Sequence, residues 1–583
     1  MSKVFLSTIG FAVVACLCLT RCDAQTSDSN VSATEEMAEK KPIVAVLKEN
    51  SALPIEERIA LFYKLKEESP DGYDFDNEDA LNLFGYSLLW EEQVTEAIEV
   101  FKLVVAEFPE SSNAYDSLGE AYLANGDSQL SLVNYEKSLE LNPDNFNAED
   151  QVEAIKYPDR KKPTPAELYE KVYTPEEYRA DLDQLGSKMV EYHPAVFKFI
   201  SEEDFWQNIE NHKAAVTNET TYAEFSWMCS DVVASIDCSH SGTGWFYPEF
   251  NMLPVDLLFP IQTRLVDEKL YVIEPLNNTD KVSMKDEIVS INRVSVAEII
   301  GKIYPHIPSQ GSVETTKRHV FNFWSSGMIP YALDFPETYT VVVNGKKDPI
   351  VLNKAEKANA PYGDQSLPRC ENGLCLEFQD DITAVLTVAS FNYYHSSDNF
   401  EEFTKFMDES FDELREKKTK NLIIDVRSNG GGSPESAVYL LQYLTDAPFL
   451  YFSESGYQVP ETTTEVEPFG NAFAGNCYFM MDGMGNSTTG HFMSMVKHLE
   501  LGPIVGEELG ANQFCTGGQQ RGRLSNTKFE FYVGNNTNET TATELPDEVG
   551  ILPDYCVSQS IDEYIAKVDA VKGFTIDLVN KAE

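Results

Sequence analysis

Between Asn421 and Ser433 the chain reads N-L-I-I-D-V-R-S-N-G-G-G-S. A short apolar run, Leu422 to Ile424, ends at the charged residues Asp425 and Arg427. Three glycines follow, and Pro434 to Leu444 is apolar and helix-compatible. This pattern predicts a buried strand, a tight turn and a helix start. Glycines at such a junction let the backbone turn sharply and approach a ligand closely, with amides near a helix N-terminus turned toward negative charge. The same triplet also serves a plain strand-to-helix turn, so its meaning depends on the rest of the chain.

At 583 residues the chain exceeds one ordinary core, and length alone predicts about three or four domains. The 95 acidic residues against 45 basic ones give a formal net charge of -50. Such a surface repels nucleic acid and anionic lipid, which excludes nucleic-acid partners. The N-terminus reads as an export signal over 1–24. Lys3 precedes the apolar stretch Val4 to Leu19, and Cys22-Asp23-Ala24 offers small residues for cleavage. Val13-Val14-Ala15-Cys16 also resembles a lipoprotein box, which would place a lipid anchor on Cys16. Of ten cysteines, three fall in this segment. An exported chain is expected to pair some of the others, and Cys370 with Cys375 is the best candidate.

Residues 25–54 read as an acidic spacer. An amphipathic helix follows from Ile55, and then an internal repeat. Gly85 and Gly119, Ala97 and Ser131, Phe101 and Tyr135, and Pro109 and Pro143 each lie 34 positions apart. That is the tetratricopeptide period and pattern, predicted over 55–155. Its readings are a docking surface for a protein partner or a helical spacer. The stretch 156–175 reads as a linker. Helical periodicity from Pro175 ends in the turn Ser235-Ile236-Asp237-Cys238-Ser239-His240-Ser241-Gly242. From Leu257 to Val351 short strands surround a helix at Val296 to Tyr304. Beyond Asp381 strands alternate with helices, the mark of a mainly parallel α/β layer.

The strand predicted at Cys477 to Met481 runs into Asp482-Gly483-Met484-Gly485-Asn486-Ser487-Thr488-Thr489-Gly490-His491 and then an apolar helix. A hydroxyl on such a turn is exposed beside amides that face a developing oxyanion; a helix N-cap is the plainer role. The motifs D-V-R-S-N-G-G-G-S-P-E-S, G-N-S-T-T-G-H-F, V-G-E-E-L-G and G-I-L-P-D-Y-C-V occur in that order, with the Cys-Ser-His-Ser turn upstream. Together they resemble the C-terminal-processing and tricorn-core serine peptidases, over roughly Thr174 to Val568. Lys285 to Asn292 is similar to that family's PDZ-like module.

The resemblance implies Ser487 as nucleophile, with an oxyanion hole from Gly430 or Gly431 and Thr488. Relatives activate the serine with a lysine, which would fall at Asn512 here, or with an upstream histidine. No lysine lies between Lys497 and Lys528, so His240 is assigned as general base and then acid. Asp547 or Glu548 would orient it. His491, four residues after Ser487, is the fallback base if His240 is remote. No metal or cofactor is implied. The expected architecture is an α/β multidomain chain. After the repeats come a helical subdomain at 176–250, a PDZ-like β-rich module at 251–355 and an α/β catalytic core at 356–575. The expected function is an exported serine endopeptidase acting on peptides or unfolded chains. The alternative is a non-catalytic peptide- or apolar-ligand-binding protein on the same fold, or a scaffold in which the repeats matter most.

Overall fold

The computed structural model describes residues 40–161, 164–169, 171–243, 253–356, 370, 373–395, 399–457 and 459–582. The expected signal segment, Cys16 and the spacer up to residue 39 lie outside the described residues. The chain divides into two compact units, 1–162 and 163–583.

The first unit is helical. Helices α1 (Ile43–Glu49) and α2 (Ile55–Glu68) precede the pairs α3 (Glu78–Trp90) with α4 (Val94–Glu107) and α5 (Ser112–Ala124) with α6 (Ser128–Leu141), and α7 (Phe146–Lys156) follows. Asn77, Ser111 and Asp127 cap α3, α5 and α6 by accepting from backbone amides in the first turn. Each pair closes where a glycine meets an aromatic ring. A Cβ on Gly85 would lie 2.5 Å from the Phe101 ring, and one on Gly119 would lie 3.1 Å from Tyr135. The sequence period is thus a packing period.

In the second unit the stretch read as a linker is partly structured. It carries a short helix, Pro165–Tyr169, and Val172 bridges to Thr221. Helices α8 (Pro175–Tyr192), α9 (Glu202–Ala215) and α10 (Tyr222–Ala234) then pack around Tyr178, Phe205 and Phe225. Both α8 and α10 start at capping boxes, Thr174 with Glu177 and Thr221 with Glu224. The C-terminus of α10 delivers the chain to the His240 turn. Next comes an antiparallel sheet in the order β1 (Gln262–Val266), β2 (Lys269–Glu274), β3 (Glu287–Ile291), β4 (Thr340–Val343), β5 (Ile350–Val351). Helix α11 (Val296–Ile303) packs on β3, and α12 (Glu314–Ala332) packs on β1.

The remaining sheet positions the site. Its strands are β6 (Leu374–Phe378), β7 (Thr383–Val388), β8 (Asn421–Asp425), β10 (Asn476–Met481), β11 (Ile504–Gly506) and β14 (Tyr555–Cys556), in spatial order β14-β11-β10-β8-β7-β6. All neighbours run parallel except β6 against β7. Cys370 and Cys375, at the start of β6, form a disulfide as expected. Ile423 lies between Val385 and Tyr478. These three residues face α16 (Ala570–Ala582), while Leu422 and Ile424 face α13 (Asn399–Lys417), α14 (Pro434–Leu444) and α15 (Thr488–His498). A strand covered on both faces has no polar side to present, which is why its apolar run is unbroken. A smaller antiparallel sheet, β9 (Phe452–Ser455), β13 (Asn536–Thr540) and β12 (Phe514–Gly517), lies beside it in the order β9-β13-β12. Among the described residues no helix is long and apolar enough to cross a membrane.

Candidate active site

The carboxyl ends of β8 and β10, adjacent parallel strands, carry the glycine turn and the Ser487 turn side by side. Such crevices are where open α/β sheets place their ligands. Arg427 fixes the first turn. Its guanidinium grips Asp425 through Nε (2.8 Å) and Nη2 (2.7 Å) and reaches Asp569 through Nη1 (2.7 Å) and Nη2 (2.9 Å). Burial alone would pull its pKa down, but the two carboxylates outweigh this and hold it above its ordinary value, so the guanidinium stays charged.

The two turns are then stitched together. Asp482, at the end of β10, accepts from the Ser428 amide (2.8 Å) and hydroxyl (3.0 Å). Asn429 O accepts from the Asn486 amide at 3.2 Å. Gly431 has φ +99°, and a Cβ there would lie 2.6 Å from the Ser487 Cβ. The glycine is required by that approach. Ser487 itself has φ 55° and ψ -127°, a conformation costing on the order of 1–3 kcal/mol for a residue with a side chain. The strain is held by α15, whose Gly490 and His491 amides both donate to Ser487 O (2.7 and 3.2 Å).

His240 meets this turn through neighbours. Asn486 Oδ1 accepts from the Ser487 amide at 2.8 Å, which fixes the orientation of its carboxamide, and also from Ser239 Oγ at 2.9 Å. One oxygen thus joins the residue before the histidine to the serine. Ser239 Oγ also lies 3.3 Å from His240 Nδ1. The hydroxyl has one proton, and Asn486 receives it. Toward Nδ1 it therefore accepts, which leaves the Nε2 lone pair of His240 unprotonated.

Of the other expected site residues, Thr488 is buried and its hydroxyl donates to Gly432 O at 2.5 Å. The Gly431 amide is engaged by Asn429 Oδ1 at 2.9 Å, whereas Gly430 faces open space. The acids do not meet Nδ1. Asp547 is ion-paired with Lys198 at 2.5 Å. Glu548 is exposed, and its carbonyl accepts from Ser312. Asn512, where a lysine would have fallen, anchors this segment through Asp547 O (2.7 Å) and Val549 O (3.0 Å). Ser239 and Asn486 lie inside the Cys-Ser-His-Ser turn and the G-N-S-T-T-G-H-F motif, but the sequence alone assigns neither a role; each directly precedes an expected site residue.

Two further histidines flank His240. His193 is buried, and its Nδ1 accepts from the Ala195 amide at 3.1 Å. His491 is buried edge-on to Phe452, with ring centroids 5.1 Å apart. Burial pushes His240 down to about 4; burial, then the charge of His240, takes His193 to about 4 and His491 to about 3. All three are neutral at neutral pH. In the unfolded chain they titrate near 6.5, so the unfolded state binds protons first as pH falls. Their contribution to stability is whole above about pH 6.5 and is lost on descending toward about pH 4. Urea unfolding at successive pH values should show this decline. His491→Phe, which keeps the ring contacts, should flatten it by about 1 kcal/mol per pH unit. An unchanged slope would remove His491 from the account.

Among the described residues no group of His, Cys, Asp and Glu is placed to hold a metal ion. The model of peptidase family S41 matches residues 382–557. Comparison with curated proteins gives no match. Among solved structures, mature CPAF complexed with lactacystin is 13% identical over 70% of this chain and 99% of that one, with a TM-score of 0.47. The photosystem II D1 C-terminal processing protease is 13% identical over 68% and 98%, with a TM-score of 0.34. The tricorn protease is 15% identical over 70% of this chain and 37% of that one, with a TM-score of 0.30. The matched segment holds the glycine turn, the Ser487 turn and the strands that carry both, and over those residues the chain is similar to the serine-type peptidases of family S41.

Proposed function

We propose that the chain is an exported serine endopeptidase that cleaves peptides or unfolded chains through an acyl-enzyme at Ser487. The observation that carries this reading is the shared acceptor Asn486 Oδ1, which holds the Ser487 amide and the Ser239 hydroxyl at 2.8 and 2.9 Å. Ser487 Oγ attacks the scissile carbonyl carbon and gives its proton to His240 Nε2. The carbonyl oxygen becomes an oxyanion facing the amides of Gly430 and Thr488. His240 returns the proton to the departing amine, which leaves an ester on Ser487. Water then repeats the sequence and frees the acid. Ser239, rather than Asp547 or Glu548, keeps the proton on Nδ1. An imidazole with a pKa of about 4 is a weak base but is always available near neutrality.

The outer segments support narrower readings. The paired hairpins over 55–155 have the spacing and the glycine–aromatic contacts of tetratricopeptide repeats and would hold a protein partner. The sheet of β1 to β5 is read as the PDZ-like module. Residues 1–24 would export the chain, with Cys16 as an alternative lipid anchor.

The test uses the chain lacking residues 1–24 and a fluorophosphonate probe, beside cleavage of unfolded casein. Labelling and cleavage should both occur and should both be lost in Ser487→Ala, with kcat/KM lowered by about 10⁴-fold or more. Labelling that persists in Ser487→Ala would place the nucleophile elsewhere. A folded, accessible chain that neither labels nor cuts would favour the non-catalytic binding protein.

A further inference from the structure

The loop Ser309 to Ser312 belongs by sequence to the β-rich region, just ahead of α12, yet it ends against the catalytic turns. The Gly311 amide donates to Asp237 O at 2.9 Å, at the entry to the His240 turn. The Ser312 amide (2.7 Å) and hydroxyl (2.8 Å) both donate to Glu548 O. Gly311 has φ +54°, and a Cβ on it would lie 2.4 Å from Glu548 O. Only glycine lets the loop seat there. Ser309 Oγ donates to Gly311 O at 3.1 Å and stiffens the turn from within.

Seated this way, the loop buries Gln310, which is 1% exposed. Its Oε1 lies 3.4 Å from Ser239 Oγ. Two carboxamide oxygens therefore face one hydroxyl proton: Asn486 from the nucleophile turn at 2.9 Å, and Gln310 from the β-rich region at 3.4 Å. Both draw the Ser239 proton away from His240, and both leave the Ser239 lone pair toward Nδ1–H. The second acceptor also resists rotation of the hydroxyl, which would present its proton to Nδ1 and spoil the tautomer.

We propose that Gln310 is a positioning residue for peptide hydrolysis, acting through the Ser239 hydroxyl on His240, so that a loop of the β-rich region completes the catalytic site. The inference rests on the Ser487–His240 reading above. Gln310 reaches Ser239 from the β-rich region without adding charge beside three neutral histidines.

The experiment is steady-state kinetics on one peptide with the chain lacking residues 1–24. Gln310→Met keeps the volume and removes the acceptor. It should lower kcat about 3- to 10-fold, the loss of one neutral hydrogen bond, and leave KM unchanged because Gln310 does not touch substrate. Gln310→Glu, which restores an acceptor at the same reach but adds a carboxyl beside His240, should recover part of kcat and move the acid limb of the pH profile upward. In a Ser239→Ala background the Gln310→Met change should have almost no further effect. The proposal is overturned if Gln310→Met matches the unmutated chain, if it moves KM instead of kcat, or if its loss is as large without Ser239 as with it. In each of these cases the unmutated chain still labels with fluorophosphonate and cuts peptide. If it does neither, the serine-peptidase reading fails, and the role of Gln310 fails with it.

Discussion

His240→Ala should lower kcat/KM by about 10⁴-fold while leaving KM and the melting temperature close to those of the unmutated chain. Among the described residues the side chain's hydrogen-bond partner is Ser239 Oγ at 3.3 Å, so its removal should cost the fold little. Ser239→Ala should cost less, on the order of 10²-fold, because a misoriented imidazole still finds the serine part of the time. The pH profile separates a base from a structural residue. With His240 pushed down to about 4 by burial, the acid limb of kcat/KM should fall near pH 4, and the rate should be flat from about pH 6 to 8. If His240→Ala retains most of its activity, the base is elsewhere. His491 is then tested next, by the same measurement on His491→Gln.

Much of the core was legible because its signals are local. The run Leu422 to Ile424 reads as a strand buried on both faces, and it packs Ile423 toward α16 and its neighbours toward α13 to α15. Asn399–Lys417 forms one of the helices expected to alternate with strands beyond Asp381, since one apolar stripe at helical spacing needs only a sheet to lie on. The 34-residue period was visible because glycine and aromatic positions recur wherever two helices touch. The helix expected beyond the Ser487 turn begins within that turn, at Thr488. The positive φ that starts it is stored strain, which no propensity encodes.

The polar wiring of the site was harder to read, since it joins residues that are near only once the chain is folded. Asp547 and Glu548 stand at the right distance from a family motif, yet Lys198 claims the first and solvent surrounds the second. Their place at Nδ1 is taken by a hydroxyl one residue from the histidine. Nothing local distinguishes Ser239 from any other serine in a polar turn. The role proposed for it follows from the single hydroxyl proton going to Asn486 Oδ1, a neighbour that only the folded chain supplies. His193 and Gln310 reach the same turn from two other parts of the unit, at sequence distances over which pattern reading has no purchase.

Gly431→Ala should separate the geometry of the nucleophile turn from its chemistry. The new methyl would lie 2.6 Å from the Ser487 Cβ, 2.7 Å from Asn486 O and 3.0 Å from the Thr488 amide nitrogen. It would also sit at φ +99°, where L side chains are strained. Backbone strain and overpacking together should cost about 2–5 kcal/mol of stability. Activity should fall further than stability does. The atoms that must yield belong to the proposed nucleophile and to one proposed oxyanion donor, and a shift of about 1 Å there is worth on the order of 10²-fold or more. A chain still folded at 25 °C by circular dichroism should therefore show kcat down by about 10³-fold and slowed fluorophosphonate labelling. Gly430→Ala is the control, because nothing lies within 4 Å of a Cβ there; it should fold and label nearly as the unmutated chain does. Equal damage from both substitutions would mean that the turn tolerates no side chain at all. The close packing of Gly431 on Ser487 would then not be what sets the nucleophile.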